Sequence, residues 1–322
     1  MGTFAMVVCL SGCGGMKWNT SIGDTYLMTV GDGELLRSEA MLVIMDYKGQ
    51  YEKYNTDFDS NDFWSETDSE GRTYGDIVKN DFIWEELTAL TALNGMAIQD
   101  GITLSPEEEL KAEEAGRQYY ETLNEEEKDY TKADENTAIS LMKKYKIAEK
   151  EIEYCINGEE MEVSDEETRV MEIQVIYLPD EVQANQAYER IKNGEDFEVV
   201  ASEMSHDPQL TYTVSRGELN PSVEHAVFQL ENGEFSSIIK AEQDFYIVKC
   251  VNDFDTSLSS ENRNRILETK KYEAWEADLK EYTEKHSIYV NDWTWDHIHL
   301  SYVEGVENNH LYSIYQEYLK EN

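Results

Sequence analysis

The sequence predicts an α+β protein in which a discontinuous all-α domain holds a smaller inserted α+β module. Apolar residues recur at helical spacing between Asp76 and Ile102, and again from about Asn136 to Ile156. From about Val170 to Val251 the pattern changes to strands that alternate with short helices. A long helical stripe then returns from Ser257 to about Ser287, which indicates that the module interrupts the helical domain.

The first helical part begins with a strand-like segment, Tyr26–Val30, that ends at the turn signal Gly31-Asp32-Gly33. A helix is expected from about Ser38. The clearest helix start is Ser105-Pro106, because serine caps the free backbone N–H groups and proline is preorganised for the first helical position. This part is therefore expected to be mostly helical.

The inserted module opens with a β-rich run, Val170–Leu178, which Pro179 ends. Three short apolar stripes at helical spacing follow, and two further β-rich runs close the module at about 236–239 and 245–251. The order β-α-α-(β)-α-β-β within about 90 residues is typical of a compact α+β domain.

The helix after the module carries one apolar stripe, formed by Tyr272, Trp275, Leu279 and Tyr282. A single stripe must be buried on something, and the first helical region is the expected surface. Beyond it, the extension 290–322 places four aromatic and imidazole side chains on one alternating face: Trp293, Trp295, His297 and His299.

Charge excludes several classes of partner. With 27 Lys and Arg against 68 Asp and Glu, the formal net charge is −41. Nucleic-acid affinity depends on basic residues that neutralise phosphates, so nucleic acid is not expected as a partner. Direct attraction to anionic lipid is disfavoured for the same reason, and no apolar run approaches the ~18–20 residues of a membrane-spanning helix.

The N-terminus suggests another route to a membrane. A short apolar stretch, Phe4–Leu10, leads into Leu10-Ser11-Gly12-Cys13, which resembles a bacterial lipobox. On this interpretation Cys13 carries a lipid and anchors an extracytoplasmic protein to the cell membrane. No Lys or Arg precedes Lys17, so an incidentally apolar start remains the alternative.

Four stretches of the module carry a family resemblance: Ile191–Phe197, Ala201–Asp207, Arg216–Leu219 and Ala226–Ser236. They resemble the parvulin-type (PpiC, rotamase) peptidyl-prolyl cis-trans isomerase domain. The whole layout resembles the PrsA/SurA-like foldase lipoproteins, in which helical chaperone-like domains hold a parvulin domain. The predicted divisions are a signal and lipobox (1–13), the first part of the helical domain (14–165), the parvulin-like domain (166–254), the C-terminal helix that completes the helical domain (255–289) and a C-terminal extension (290–322).

The resemblance implies a set of site residues. Asp207 falls where the family has its active-site Cys or Asp, and the peptide-binding pocket is expected to be lined by Val175, Leu219, Val223 and Phe228. Both family histidines are absent, because Val175 and Tyr246 stand at their positions. Asp207 is then left with at most a phenol partner, and Tyr246 is the expected donor. The alternative for Asp207 is an ordinary turn residue ahead of Pro208.

These departures predict a foldase that binds unfolded or proline-containing secreted polypeptides, with weak or absent isomerase activity. The first alternative is an active isomerase that uses Asp207 and Tyr246. The second is a non-catalytic scaffold or ligand-binding lipoprotein. No metal or cofactor is expected, because His297 and His299 alone do not make a closed site.

Three further expectations concern the helical domain and the cysteines. Tyr47, Tyr51 and Tyr54 share one helix face and are the best candidates for an exposed aromatic stripe. The acidic run Glu125–Glu127 is interpreted as dipole compensation in a first helical turn. Cys155 and Cys250, one in each predicted domain, are expected to be unpaired.

Overall fold

A computed structural model describes residues 17–18, 25–54, 63–158 and 161–320. The chain divides into two compact units, Met1–Glu159 with Glu273–Asn322, and Glu160–Tyr272. Both contain helices and a sheet, which confirms the α+β class. Cys13 and the rest of the lipobox lie outside the described residues.

The first unit consists of helices around one small sheet. Its strands are β1 (Lys17–Trp18), β2 (Tyr26–Val30), β3 (Gly33–Leu36) and β8 (Ile288–Val290). Its α-helices are α1 (Arg37–Tyr54), α2 (Tyr74–Ile77), α3 (Trp84–Asp100), α4 (Pro106–Thr122), α5 (Glu125–Thr131), α6 (Glu135–Gly158), α12 (Asp292–Asp296) and α13 (Leu311–Tyr318). A 3₁₀ turn, Phe63–Ser65, precedes α2, and a π-helical segment, Val78–Ile83, joins α2 to α3.

The second unit holds the remaining elements. They are α7 (Asp165–Thr168), β4 (Val170–Leu178), α8 (Glu181–Lys192), α9 (Phe197–Met204), β5 (Thr211–Ser215), α10 (Pro221–Val227), β6 (Ile239–Ala241) and β7 (Asp244–Asn252). The long helix α11 (Thr256–Lys285) begins in this unit and ends in the first.

The expectation of an all-α first domain is wrong, because this unit contains a four-stranded sheet. Its strand order is β1-β8-β2-β3, so a strand from near the C-terminus lies between two strands from near the N-terminus. β8 pairs parallel with β1 and antiparallel with β2. The pairing joins residues about 260 positions apart, which local periodicity does not reveal.

Helices α3, α4 and α6 form much of the first unit's core. The predicted start of α4 is present as a full capping box: Ser105 Oγ accepts the N–H of Glu108, and the Glu108 carboxylate accepts the N–H of Ser105. Trp275, Leu279 and Tyr282 of α11 belong to the same core cluster. Three of the four residues of the α11 stripe are therefore buried in the helical unit, whereas the fourth, Tyr272, is 38% exposed.

The segment 290–322 is part of this core and not a separate extension. Trp295, Leu311 and Tyr315 are each at least 95% buried, within the same cluster as the helices. The predicted alternating face is wrong, because residues 292–296 form the short helix α12. In a helix Trp293 and Trp295 point in different directions, so Trp293 is 59% exposed while Trp295 is buried.

Buried ionisable side chains of the helices form hydrogen bonds to the backbone of this C-terminal segment. Lys48 Nζ donates to the carbonyl oxygen of Val306 at 2.6 Å, and Lys146 Nζ donates to that of Leu319 at 3.2 Å. In the opposite sense, the Asp46 carboxylate accepts the N–H of Leu311 at 2.9 Å. Backbone polar groups of the segment are thus satisfied by ionisable side chains inside the unit.

The expected exposed tyrosine stripe on α1 is also wrong. Tyr47 and Tyr51 pack against the core, and the side chain of Tyr54 lies outside the described residues. The hydroxyls of Tyr47 and Tyr145 both donate to the buried carboxylate of Glu86. The two hydroxyls therefore provide hydrogen-bond donors for the buried Glu86 carboxylate, because an unpaired carboxylate in the core would cost free energy of folding.

The buried acid Asp46 makes the stability of this unit dependent on pH. Burial, together with the nearby Glu86 carboxylate, raises the pKa of Asp46 to about 7, although hydrogen bonds from Gln50 and Leu311 and the charge of Lys53 act in the opposite direction. A folded-state pKa above the unfolded value of ~3.9 means that protonated Asp46 stabilises the fold. This contribution is complete below about pH 4 and is lost as the pH rises through about 7.

Asp46→Asn is therefore expected to gain stability relative to wild type as the pH rises from about 4 to about 8. The amide cannot ionise, so the variant avoids the cost of burying a charge at high pH. Urea denaturation of both proteins across this range measures the difference in free energy of unfolding. A difference that does not change with pH would contradict the assignment.

Candidate functional site

The site is built on one face of the second unit's sheet, whose antiparallel strand order is β5-β4-β7-β6. Successive residues of a strand point to opposite faces, and the two faces bury separate cores. Ile176 and Ile247 face helices α8 and α9, whereas Val175 and Tyr246 face the other side. The two positions at which the family has histidines therefore share one face.

All of the predicted pocket residues lie on this second face, which we call the cup. Val175, Leu219, Val223, Phe228 and Tyr246 belong to one apolar cluster around Met171, Ile173 and Val248. Val223 and Phe228 are buried, so they support the cup from within. Val175, Leu219 and Tyr246 are only partly buried, so these three form part of the accessible surface of the cup.

One end of the cup is closed by an arginine. The guanidinium of Arg216 lies 4.1 Å from the ring centroid of Phe228, within the range of a cation–π contact. The same guanidinium pairs with Glu166, and Glu224 lies 3.9 Å away. Arg216 is thus engaged by an aromatic ring and two carboxylates, and it keeps Phe228 covered.

Asp207 lies on a turn that is fixed to β4 on both sides. His206 donates its backbone N–H to the carbonyl of Tyr177, and Val175 donates its backbone N–H to the carbonyl of Leu210, both at 2.9 Å. The Asp207 carboxylate oxygen Oδ1 accepts the backbone N–H of Gln209 at 2.9 Å. This last bond is that of an Asx turn, so the turn interpretation of Asp207 describes part of what the side chain does.

The other carboxylate oxygen of Asp207 has a partner that sequence reasoning missed. The hydroxyl of Tyr212 donates a hydrogen bond to Asp207 Oδ2, so the phenol bound to Asp207 is Tyr212 and not Tyr246. The bond, together with burial, raises the pKa of Tyr212 to about 12. The alternation of Thr211, Tyr212, Thr213 and Val214 was the available signal, because it places Tyr212 and Val214 on one face of a strand.

Tyr246 has a different environment. Its ring lies 5.4 Å from the ring of Tyr177, its cross-strand neighbour, and within the described residues its hydroxyl makes no hydrogen bond. Burial and the carboxylates of Asp244, Glu242 and Asp207 raise its pKa, so the phenol stays protonated at neutral pH. Tyr246 therefore offers a free hydroxyl donor at the cup.

The described residues contain neither a candidate metal site nor a candidate membrane-spanning helix. There, no three His, Cys, Asp or Glu side chains are grouped so that they could hold a metal ion. None of the helices in these ranges is both long enough and apolar enough to cross a bilayer. Cys155 and Cys250 are free and buried, and burial raises the pKa of both thiols, to about 11 for Cys250, so neither is a reactive thiolate at neutral pH.

Part of the second unit matches a known domain family. Residues 180–252 match the family model of the PPIC-type PPIase domain, Rotamase. The second unit contains a parvulin domain. The chain is also a homologue of the Foldase protein PrsA of Caldanaerobacter subterraneus subsp. tengcongensis, with 25% identity over 281 residues that cover 82% of this chain and 88% of the relative.

Solved structures of the same group are similar to this parvulin-containing chain. A peptidylprolyl isomerase (PrsA) from Bacillus cereus has 18% identity and a TM-score of 0.40, covering 81% of this chain and 100% of that one. A solved structure from work on the SurA-like chaperones PEB4 and Cj1289 of Campylobacter jejuni matches with 12% identity and a TM-score of 0.30. The match covers 82% of this chain and 98% of that one. The parvulin of Nitrosopumilus maritimus has 27% identity and a TM-score of 0.23, covering 26% of this chain and 95% of its own.

Proposed function

We propose that this protein is an extracytoplasmic foldase, anchored to the membrane by a lipid on Cys13, that binds unfolded secreted polypeptides and has little isomerase activity. The observation that carries the proposal is a parvulin cup whose apolar wall is kept while Val175 and Tyr246 replace both histidines. The similarity to the Foldase protein PrsA supports the foldase role. The lipobox-like Leu10–Cys13 supports the anchor.

The apolar wall of the cup and its polar network contribute to different parts of prolyl isomerisation, namely peptide binding and the rate. The reaction twists an amide over a barrier of ~18–20 kcal/mol without a covalent step. An apolar cup holds the proline ring, whereas polar groups must bind the twisted amide better than the planar one to raise the rate. The retained wall therefore supports peptide binding, and the reduced polar network predicts slow turnover.

The helical unit offers surface for unfolded clients. Large apolar side chains are exposed on it: Phe82, Ile98, Leu110, Tyr154 and Trp293. Trp293 is 59% exposed, and its ring stacks on His297 at 4.4 Å, which gives a broad flat contact area. Aromatic side chains of this kind bury much surface at little cost in conformational entropy.

Isomerase activity is tested by exchange NMR on a short Xaa-Pro peptide with the full-length protein. We expect peptide resonances to shift on binding, while the cis/trans exchange rate rises far less than an equal concentration of an ordinary parvulin would raise it. Turnover equal to that parvulin would contradict the loss of activity and would favour the alternative.

The alternative is an active isomerase in which Tyr246 acts with Asp207. The free hydroxyl of Tyr246 favours it, because a phenol can donate to the carbonyl oxygen of the twisting amide. If this alternative holds, Tyr246→Phe should reduce the exchange rate at saturating peptide by at least fivefold. An unchanged exchange rate would exclude it.

A further inference from the structure

The two tyrosines of the cup use their hydroxyls differently. Tyr246 has a free hydroxyl, whereas the hydroxyl of Tyr212 is bound to Asp207 Oδ2. Both rings pack against the same apolar cluster, and the charge of Asp207 reaches both phenols. Both phenols therefore interact electrostatically with Asp207, and in the structure its carboxylate is hydrogen-bonded to Tyr212.

The bond between Tyr212 and Asp207 joins two rigid parts of the parvulin domain. Tyr212 is the second residue of β5 and lies opposite Ile173 of β4. Asp207 lies on a turn that backbone hydrogen bonds fix to β4 before and after it. With Gln209 on Oδ1 and Tyr212 on Oδ2, both carboxylate oxygens are bound and the carboxylate has one orientation.

We propose that Tyr212 is a positioning residue of the cup, which holds the Asp207 carboxylate and thereby leaves the Tyr246 hydroxyl as the donor for a bound Xaa-Pro peptide. The inference rests on the proposed function, because it assigns roles within the peptide-binding cup. Hydrogen bonds to an ionised group are the strong ones, so a carboxylate without Tyr212 would turn to another donor. Tyr246, which packs on the same apolar cluster as Tyr212, is the other phenol of the cup, and once bound to Asp207 it is lost to the peptide.

The experiment uses the full-length protein with ¹³C-labelled tyrosine rings and the peptide succinyl-Ala-Ala-Pro-Phe. We expect Tyr212→Phe to weaken peptide binding by about tenfold, the loss that one hydrogen bond of this class accounts for. Asp207→Asn should weaken binding less than Tyr212→Phe does, because no carboxylate is left at position 207 to take up the Tyr246 hydroxyl. For the same reason the double variant should bind peptide more tightly than Tyr212→Phe alone, so the two substitutions should not be additive.

A second readout follows the phenol itself and does not depend on the peptide. The Tyr212 ring signal should titrate at about pH 12 in wild type and near pH 10 in Asp207→Asn. The control is Tyr188→Phe, which removes a phenol from the opposite face of the sheet. Within the described residues that hydroxyl has no hydrogen bond, so binding should stay at the wild-type level.

Three results would overturn the proposal: Tyr212→Phe binding peptide as wild type does, a double variant that binds no more tightly than Tyr212→Phe, or the same Tyr212 titration in wild type and Asp207→Asn. A lowered melting temperature for Tyr212→Phe would leave the titration of the folded Asp207→Asn variant to decide. If wild type binds no peptide, the proposed function fails and the peptide-binding role fails with it. The titration still shows whether Tyr212 holds Asp207.

Discussion

Gly116→Ala is expected to lower the free energy of unfolding by about 3 kcal/mol or more, through overpacking of two helices. Gly116 lies on α4 where that helix crosses α6 most closely. A Cβ atom there would lie 2.4 Å from Ile139 Cα and 2.6 Å from Ile139 N, well inside the contact distance of carbon and nitrogen. The atoms in the way are backbone atoms, so the helices themselves must separate.

The matched control is Gly158→Ala on the last residue of α6. A Cβ atom at Gly158 meets nothing within 4 Å, so only the helix propensity changes, by at most ~1 kcal/mol in favour of alanine. Urea denaturation of the two variants and wild type measures the contrast. Equal effects of the two substitutions would show that the approach of α4 and α6 is not as close as the structure has it.

Glu127→Ala is the second substitution for which we expect a large effect, also about 3 kcal/mol. Glu127 closes a capping box by accepting the N–H of Asn124 at 3.0 Å. Its other oxygen accepts the N–H groups of Glu307 and Asn308, at 3.1 and 2.8 Å. Alanine would leave three backbone donors without their acceptor, and the side chain they lose is 97% buried.

Glu125→Ala is the control for this prediction. It removes a carboxylate from the same helical turn, but that side chain is 89% exposed, and its ion pair within the described residues is with Lys128 on the surface. Stability should stay close to that of wild type. Because Glu127 holds the chain near Asn308, hydrogen exchange should also show faster opening of the C-terminal segment in Glu127→Ala alone. Uniform protection in both variants would contradict this role.

The comparison of Glu125 with Glu127 shows where sequence reasoning stops. Both belong to an acidic run that dipole compensation explains well enough, and nothing local separates them. Glu127 differs because a segment 180 residues later in the sequence brings two backbone N–H groups to it. The first unit's sheet was missed for the same reason, since Ile288–Val290 is short and its partners are distant.

Local patterns were sufficient in the parvulin domain. The run Val170–Leu178 is β4 at the predicted bounds, and the stripe Ala184, Ala187 and Ile191 is the buried face of α8. Alternation along the strands also places Val175 and Tyr246 on one face of the sheet, where the structure has them. The resemblance did not find Tyr212, because a side-chain partner five residues away depends on how the turn after Asp207 folds back along β4.

The most direct test of the foldase claim is the aggregation of an unfolded secreted protein, followed by light scattering with and without the full-length protein. At equal molar amounts we expect aggregation to be strongly suppressed. Scattering that grows at the same rate with an excess of the protein present would contradict the account.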